Sequence, residues 1–109
     1  MNEDKQHRRR KSLRVISPDL YWYITGKFEE LHNVHTYDIQ ADAIKEETGL
    51  HIRLKFGDQF AHQEEQFFTF EAIEEQSTEL EGFVKSTADK CQEVMVADYF
   101  KMMNPKSKV

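Results

Sequence analysis

Cysteine is nearly absent from this chain, since Cys91 is the only one. A single cysteine excludes an internal disulfide and a zinc site made of several cysteine ligands from one chain. Cys91 also falls within the apolar stripe of a predicted helix, where a thiol behaves as a small hydrophobic side chain and not as a nucleophile. We therefore expect no thiol catalysis.

Glycine clusters and long apolar runs are also missing. The four glycines are scattered along the chain, which excludes a glycine-rich phosphate-binding loop. The longest apolar runs, LYWYI (20–24) and VMVA (94–97), fall far short of the roughly 20 residues of a membrane helix. No apolar segment of a signal peptide follows the basic start. The sequence therefore predicts a soluble, cytoplasmic protein that does not act at a membrane.

Residue patterns that carry chemistry are few. His32 and His35 would share one face of a helix, but a zinc site needs three or four ligands and no further histidine has motif spacing. Carboxylates are numerous, yet no pair is set apart for acid–base catalysis. We expect no catalytic, cofactor-binding or metal-binding residues and no cofactor, so a non-enzymatic role is favoured.

Charge is distributed unevenly over the 109 residues, whose formal net charge is −5. Residues 1–14 hold six Lys or Arg against two Asp or Glu, whereas residues 15–104 hold seven against eighteen. Residues 1–11 have no large apolar side chain beyond Met1, so they cannot offset the entropy of ordering. The sequence therefore predicts a flexible basic arm over 1–11, a single domain over 12–104 and a flexible tail over 105–109.

The basic start is a candidate nucleic-acid contact, because arginine and lysine neutralise phosphates. The acidic body would oppose such binding. The candidate contact residues are Arg8, Arg9, Arg10, Lys11 and Arg14.

The first predicted helix follows Ser17-Pro18-Asp19, which supplies an N-cap hydroxyl, a proline at the first helical position and an acid in the first turn. Apolar residues continue at helical spacing as far as Leu31. A strand remains an alternative for 20–24, because aromatic and β-branched residues favour one. Before this helix, LRVIS (13–17) predicts a short strand.

Period-two alternation then predicts a β-hairpin. Residues 37–43 alternate apolar and polar side chains, and so do residues 50–56 after the turn EETG (46–49). Gly49 is predicted to take the left-handed position of that turn. QFFTFEAI (66–73) predicts the next strand, after a polar loop.

The last element is predicted as a long helix that begins with a Thr78/Glu81 capping box. Its apolar stripe covers one face as far as Met95. The fold class is therefore α+β: an antiparallel meander of three to four strands with an N-terminal and a long C-terminal helix on one face, in the order (β)-α-β-β-β-α.

The apolar stripe of the last helix breaks after Met95. At 100° per residue Asp98 falls in the middle of the stripe, while Val96 and Phe100 fall on the polar face. Either the helix ends or bends near Val96, or its last turns extend beyond the sheet. No Gly or Pro lies between Val96 and Pro105, so the second is favoured, with the last turns covered by the N-terminal helix or by a second copy of the chain. The candidate interface residues are Trp22, Val96, Tyr99, Phe100 and Met103.

These observations favour a small acidic interaction or regulatory module that acts through protein–protein contacts. A protein partner or self-association, as a possible homodimer, is favoured over nucleic acid. One alternative is a nucleic-acid-binding protein that uses the basic arm. A second alternative is a small-ligand-binding or enzymatic domain with no recognisable motif.

Overall fold

A four-stranded antiparallel sheet forms one layer of the protein, and helices cover one of its faces. The structure is a computed structural model that describes residues 9–103. Its elements are β1 (Arg10–Ser12), α1 (Leu13–Ile16), α2 (Pro18–His32), β2 (Ile39–Lys45), β3 (Gly49–Phe56), β4 (His62–Thr69), α3 (Phe70–Glu75) and α4 (Thr78–Met103). The strands lie side by side in chain order. This arrangement confirms the predicted α+β meander with its N-terminal and long C-terminal helices.

The central hairpin carries the alternation that the sequence predicts. Leu50, Ile52, Leu54 and Phe56 of β3 are buried, and the residues between them are partly exposed. The register pairs Leu54 with Ala41 of β2, so the buried side chains of both strands share one face. The turn residue is different, because Gly49 has no positive φ and begins β3. A Cβ at Gly49 would lie 2.1 Å from the Phe68 carbonyl oxygen, so a close backbone approach requires the glycine.

The helix α2 begins at Pro18 after Ser17, as predicted, and residues 20–24 are helical. The predicted capping by the Ser17 hydroxyl is wrong, because that side chain makes no capping hydrogen bond. The strand predicted over 13–17 is wrong. Leu13–Ile16 form the helical turn α1, closed by the Ser17 amide donating to the Leu13 carbonyl at 2.8 Å, and Leu13 is fully buried. The short strand lies earlier, where Arg10 and Lys11 of the predicted arm pair with β2. Residues 1–8 and the predicted tail at 105–109 lie outside the described residues.

The strand predicted over 66–73 is displaced. The strand β4 begins at His62 and ends at Thr69, because the Thr69 hydroxyl accepts a hydrogen bond from the Ala72 amide at 3.1 Å and starts α3. Residues 62–65 read as a polar loop in the sequence, but an edge strand needs only one neighbouring strand for its backbone hydrogen bonds. Phe70 and Ile73 are therefore helical.

The long helix α4 spans 26 residues, roughly 39 Å at 1.5 Å per residue. Its cap is Ser77 and not Thr78, since the Ser77 hydroxyl accepts from the Leu80 amide at 3.1 Å. Leu80, Val84 and Cys91 are buried against the sheet, which confirms the predicted stripe. The helix does not end near Val96 but continues to Met103.

No helix among residues 9–103 combines the length and the apolar character that crossing a membrane requires.

Candidate functional site

The last two turns of α4 expose apolar side chains, three of which lie on one side of the helix. Val96, Tyr99 and Phe100 are 44%, 58% and 63% exposed. The spacing i, i+3, i+4 places these three residues side by side, and we call them the distal seam. They are three of the five interface residues predicted from the sequence. Residues 9–103 therefore leave about half of the surface of these three side chains uncovered.

The two other predicted interface residues do not join the distal seam. Trp22 is 51% exposed, but its neighbours are the Tyr21 ring at 5.0 Å and the Arg14 guanidinium at 5.3 Å from the ring centroid. The prediction that the N-terminal helix could cap the last turns of α4 is therefore wrong. Met103 ends α4, and the position of its side chain lies outside the described part of the chain.

Beside the seam, an open cleft of about 760 Å³ lies between the end of α4 and the two loops that precede β2 and follow β3. We call it the terminal cleft. Its apolar walls come from Tyr37, Phe60, Met95, Tyr99 and Met102. The sequence reasoning missed four of these five residues, because Tyr37, Phe60 and Met95 come from distant parts of the chain and Met102 follows the break in the stripe.

Asp98, which the pattern places in the middle of the apolar stripe, has a structural role. Its Oδ2 accepts a hydrogen bond from the Asp58 amide at 3.1 Å. This bond ties α4 to the loop between β3 and β4, where Gly57 adopts φ 86° and Gln59 and Phe60 also have positive φ. The carboxylate therefore satisfies a backbone donor of the loop at the edge of the terminal cleft.

A second concave surface lies beside β1, and we call it the cationic groove. It has a volume of about 620 Å³. Its described lining includes Arg10, Lys11, Arg14, Tyr21 and Arg53, with Asp42 as the one carboxylate. Three of the predicted nucleic-acid contact residues thus lie together. Arg9 is exposed next to β1, and Arg8 lies outside the described residues.

Arg53, which also lines the cationic groove, forms an ion pair with Asp42 that the sequence did not indicate. Its Nε and Nη2 donate to the two carboxylate oxygens of Asp42 at 3.1 and 2.8 Å, and Arg10 Nη1 donates to Asp42 Oδ1 at 3.2 Å. The register places Asp42 directly opposite Arg53. The alternation marks Asp42 and Arg53 as residues of the open face, but only the register shows that they pair.

The open face of the sheet also holds a histidine–carboxylate pair. His51 Nε2 and Glu65 Oε1 are 2.6 Å apart, and Gln63 donates to the other oxygen of Glu65 at 2.7 Å. The hydrogen bond from His51 lowers the pKa of Glu65, and burial opposes this shift. Phe67 lies opposite His51 and is 38% exposed on this face.

The residues considered for chemistry are engaged in structural contacts. Cys91 is fully buried, and burial raises the pKa of its thiol to about 11, with a smaller contribution from the charge of Asp38. His32 Nε2 lies 2.7 Å from Asp89 Oδ1, and this hydrogen bond, followed by that from Lys85, lowers the pKa of Asp89. The His35 ring stacks on Tyr37 at 5.2 Å. Over the stretch 9–103, no three His, Cys, Asp or Glu side chains form a group that could hold a metal ion.

No protein-family model, no curated protein and no solved structure gives a significant match to this chain.

Proposed function

We propose that this protein is a small non-enzymatic interaction module that associates with a second copy of itself through the distal seam. The observation that carries the proposal is the exposure of Val96, Tyr99 and Phe100 on one side of a helix that extends past its own core. Apolar side chains at i, i+3 and i+4 are typical of helix–helix packing. The cytoplasmic location stays a prediction of the sequence.

Two arguments favour a second copy of the chain as the partner of the seam. One is the geometry of paired helix ends, and the other is the charge of the two bodies. A two-fold pair of antiparallel helix ends needs no other partner and places the same residues opposite each other. Such a pair also holds the two bodies at opposite ends of the assembly. This matters because residues 15–104 carry eighteen acids against seven bases, and the bodies repel each other.

The exposed area of the seam limits the affinity of the dimer. An aromatic side chain presents roughly 150–250 Å², so at their exposures Tyr99 and Phe100, together with Val96, offer roughly 300 Å² on each copy. Stable interfaces bury about 1,200–2,000 Å² in total, so the seam alone supports a weak dimer. We expect a dissociation constant on the order of 10–100 µM.

Sedimentation velocity tests the proposal over protein concentrations from about 5 to about 500 µM. The wild type is expected to shift from monomer to dimer across this range. The double variant Val96→Glu/Phe100→Glu is expected to stay monomeric, because it would bury four unpaired carboxylates in the dimer.

The matched control is Gly82→Glu/Ser86→Glu, which adds two glutamates with the same four-residue spacing on the exposed side of α4 before Met95. It is expected to dimerise like the wild type. Circular dichroism checks that each variant folds. A wild type that remains monomeric at the highest concentration, or a control that dissociates as completely as the seam variant, contradicts self-association through the seam.

A further inference from the structure

The cationic groove combines positive charge with the Tyr21 ring, and Trp22 lies outside its lining but next to Arg14 and Tyr21. Arg10, Lys11, Arg14 and Arg53 line the groove, and Asp42 is the single carboxylate among its described lining residues. These residues come from three separate parts of the chain: the continuous segment 10–14 of β1 and α1, Asp42 on β2, and Arg53 on β3. The fold therefore gathers an excess of positive charge that the overall charge of −5 conceals.

The ion pairs within the groove do not neutralise its excess positive charge. Asp42 accepts hydrogen bonds from both Arg10 and Arg53, so two cations share one carboxylate. The bidentate contact fixes the Arg53 guanidinium in a single plane, and its other donors remain available for a second acceptor. Lys11 and Arg14 are exposed at the rim and add two further charges.

Aromatic rings adjoin these charges. The Arg14 guanidinium lies 5.8 Å from the Tyr21 ring centroid and 5.3 Å from that of Trp22. Trp22, the only tryptophan of the chain, is 51% exposed and packs edge-on against Tyr21. Cations beside exposed rings are the combination that holds single strands, since the cations contact phosphates and the rings stack on unpaired bases.

We propose that the cationic groove binds single-stranded nucleic acid, with Lys11 and Arg14 on the phosphates and Trp22 stacked on a base. The two rings favour a strand with unpaired bases over a duplex, whose bases are already stacked on each other. The concave shape of the groove favours a strand over a flat lipid surface. This binding uses residues remote from the distal seam in the sequence, so it does not depend on self-association.

Fluorescence anisotropy of a dye-labelled 20-nucleotide oligothymidylate tests the proposal at salt concentrations between about 50 and 300 mM. The wild type is expected to bind more weakly as salt rises, by about 0.7 in the logarithmic slope for each phosphate contacted. Lys11→Ala and Arg14→Ala are each expected to reduce that slope by about 0.7. Lys85→Ala removes the same charge from the exposed side of α4 and is expected to leave the slope unchanged.

Substitution of Trp22 measures the contribution of base stacking to affinity separately from that of the charges. Trp22→Ala is expected to weaken oligothymidylate binding roughly tenfold without changing the salt slope. Leu31→Ala, also exposed on α2, is the control and is expected to bind like the wild type. Stacking is also expected to quench the fluorescence of Trp22, which reports on this position alone.

Three results would overturn the proposal. The first is no binding at about 50 mM salt with 100 µM protein. The second is unchanged binding in both Arg14→Ala and Trp22→Ala. The third is binding to vesicles of anionic phospholipid, with a blue shift of Trp22 fluorescence, in place of binding to oligothymidylate.

Discussion

The two parts of α4 on either side of Met95 differ in what surrounds them. From Thr78 to Met95 one apolar stripe lies on the sheet, with Leu80 and Val84 buried and the opposite side polar. From Val96 onward apolar side chains appear on several sides of the same helix, and Tyr99 and Phe100 are mostly exposed. The helix geometry is continuous across this point, so the difference lies in the partners of the side chains.

This difference separates side chains that hold the fold together from side chains that remain available for contacts. A helix with a single apolar stripe can bury that stripe on one sheet. A helix with apolar residues on several sides needs additional packing partners to bury them all. The first part of α4 finds its cover within the chain. The distal seam is left about half exposed by residues 9–103, which is why we propose that it associates with a second copy of the chain.

Substitutions at Leu80 and Phe100 test whether the two parts of α4 differ in their contacts within the chain. Leu80→Ala is expected to lower the free energy of unfolding by about 2–5 kcal/mol, because Leu80 is fully buried and its loss leaves a cavity. Phe100→Ala is expected to cost less than about 0.5 kcal/mol in the monomer, because its ring is mostly exposed. Urea unfolding at about 1 µM protein, where any dimer is dissociated, measures both. Equal costs would mean that the end of α4 packs within its own chain.

Two glycines, Gly49 at the start of β3 and Gly82 on the exposed side of α4, are expected to respond to alanine substitution with opposite changes in stability. Gly49→Ala is expected to destabilise the protein by about 1–3 kcal/mol, because its Cβ would clash with the backbone of β4. Gly82→Ala is expected to stabilise it by up to about 1 kcal/mol, since a Cβ there meets nothing and alanine favours helix. Urea unfolding of the two variants measures the opposite signs. A Gly49→Ala protein as stable as the wild type would contradict the close approach of β3 and β4.

The His51–Glu65 pair on the open face of the sheet is expected to contribute less to stability than Leu80 or Gly49. The hydrogen bond with His51 lowers the pKa of Glu65, so the ionised carboxylate stabilises the fold above its unfolded pKa. That contribution is lost as the pH falls through the lowered pKa. Glu65→Gln is therefore expected to cost less than about 1 kcal/mol at pH 7, because about a third of each side chain of the pair remains exposed to solvent. The difference from the wild type should vanish in acid, and a difference that grows in acid would contradict the lowered pKa.

Local patterns in the sequence predicted the elements whose signal is repeated along the chain. The alternation over Leu50, Ile52, Leu54 and Phe56 identified β3 and its buried face, and the stripe through Leu80 identified α4. The break after Met95 also identified three residues of the distal seam. In each case the environment of a side chain follows from the period of one element.

The features that sequence reasoning missed depend on contacts between distant residues. The start of β4 at His62 is set by pairing with Phe56, and no apolar pattern marks it. The position of β1 follows from Lys11 pairing with Ala43. Arg53 and Tyr21 reach the cationic groove only because strands and helix fold together. Pairing partners across the sheet are not encoded in the period of a single segment.

The most direct test of the distal seam is a dilution series of ¹H–¹⁵N correlation spectra from about 500 to about 20 µM protein. Our account predicts concentration-dependent shifts for the amides of Val96, Tyr99 and Phe100. It predicts constant positions for Lys85 and Ser86, on the part of α4 that lies on the sheet. Shifts absent everywhere, or confined to the sheet, would contradict association through the end of α4.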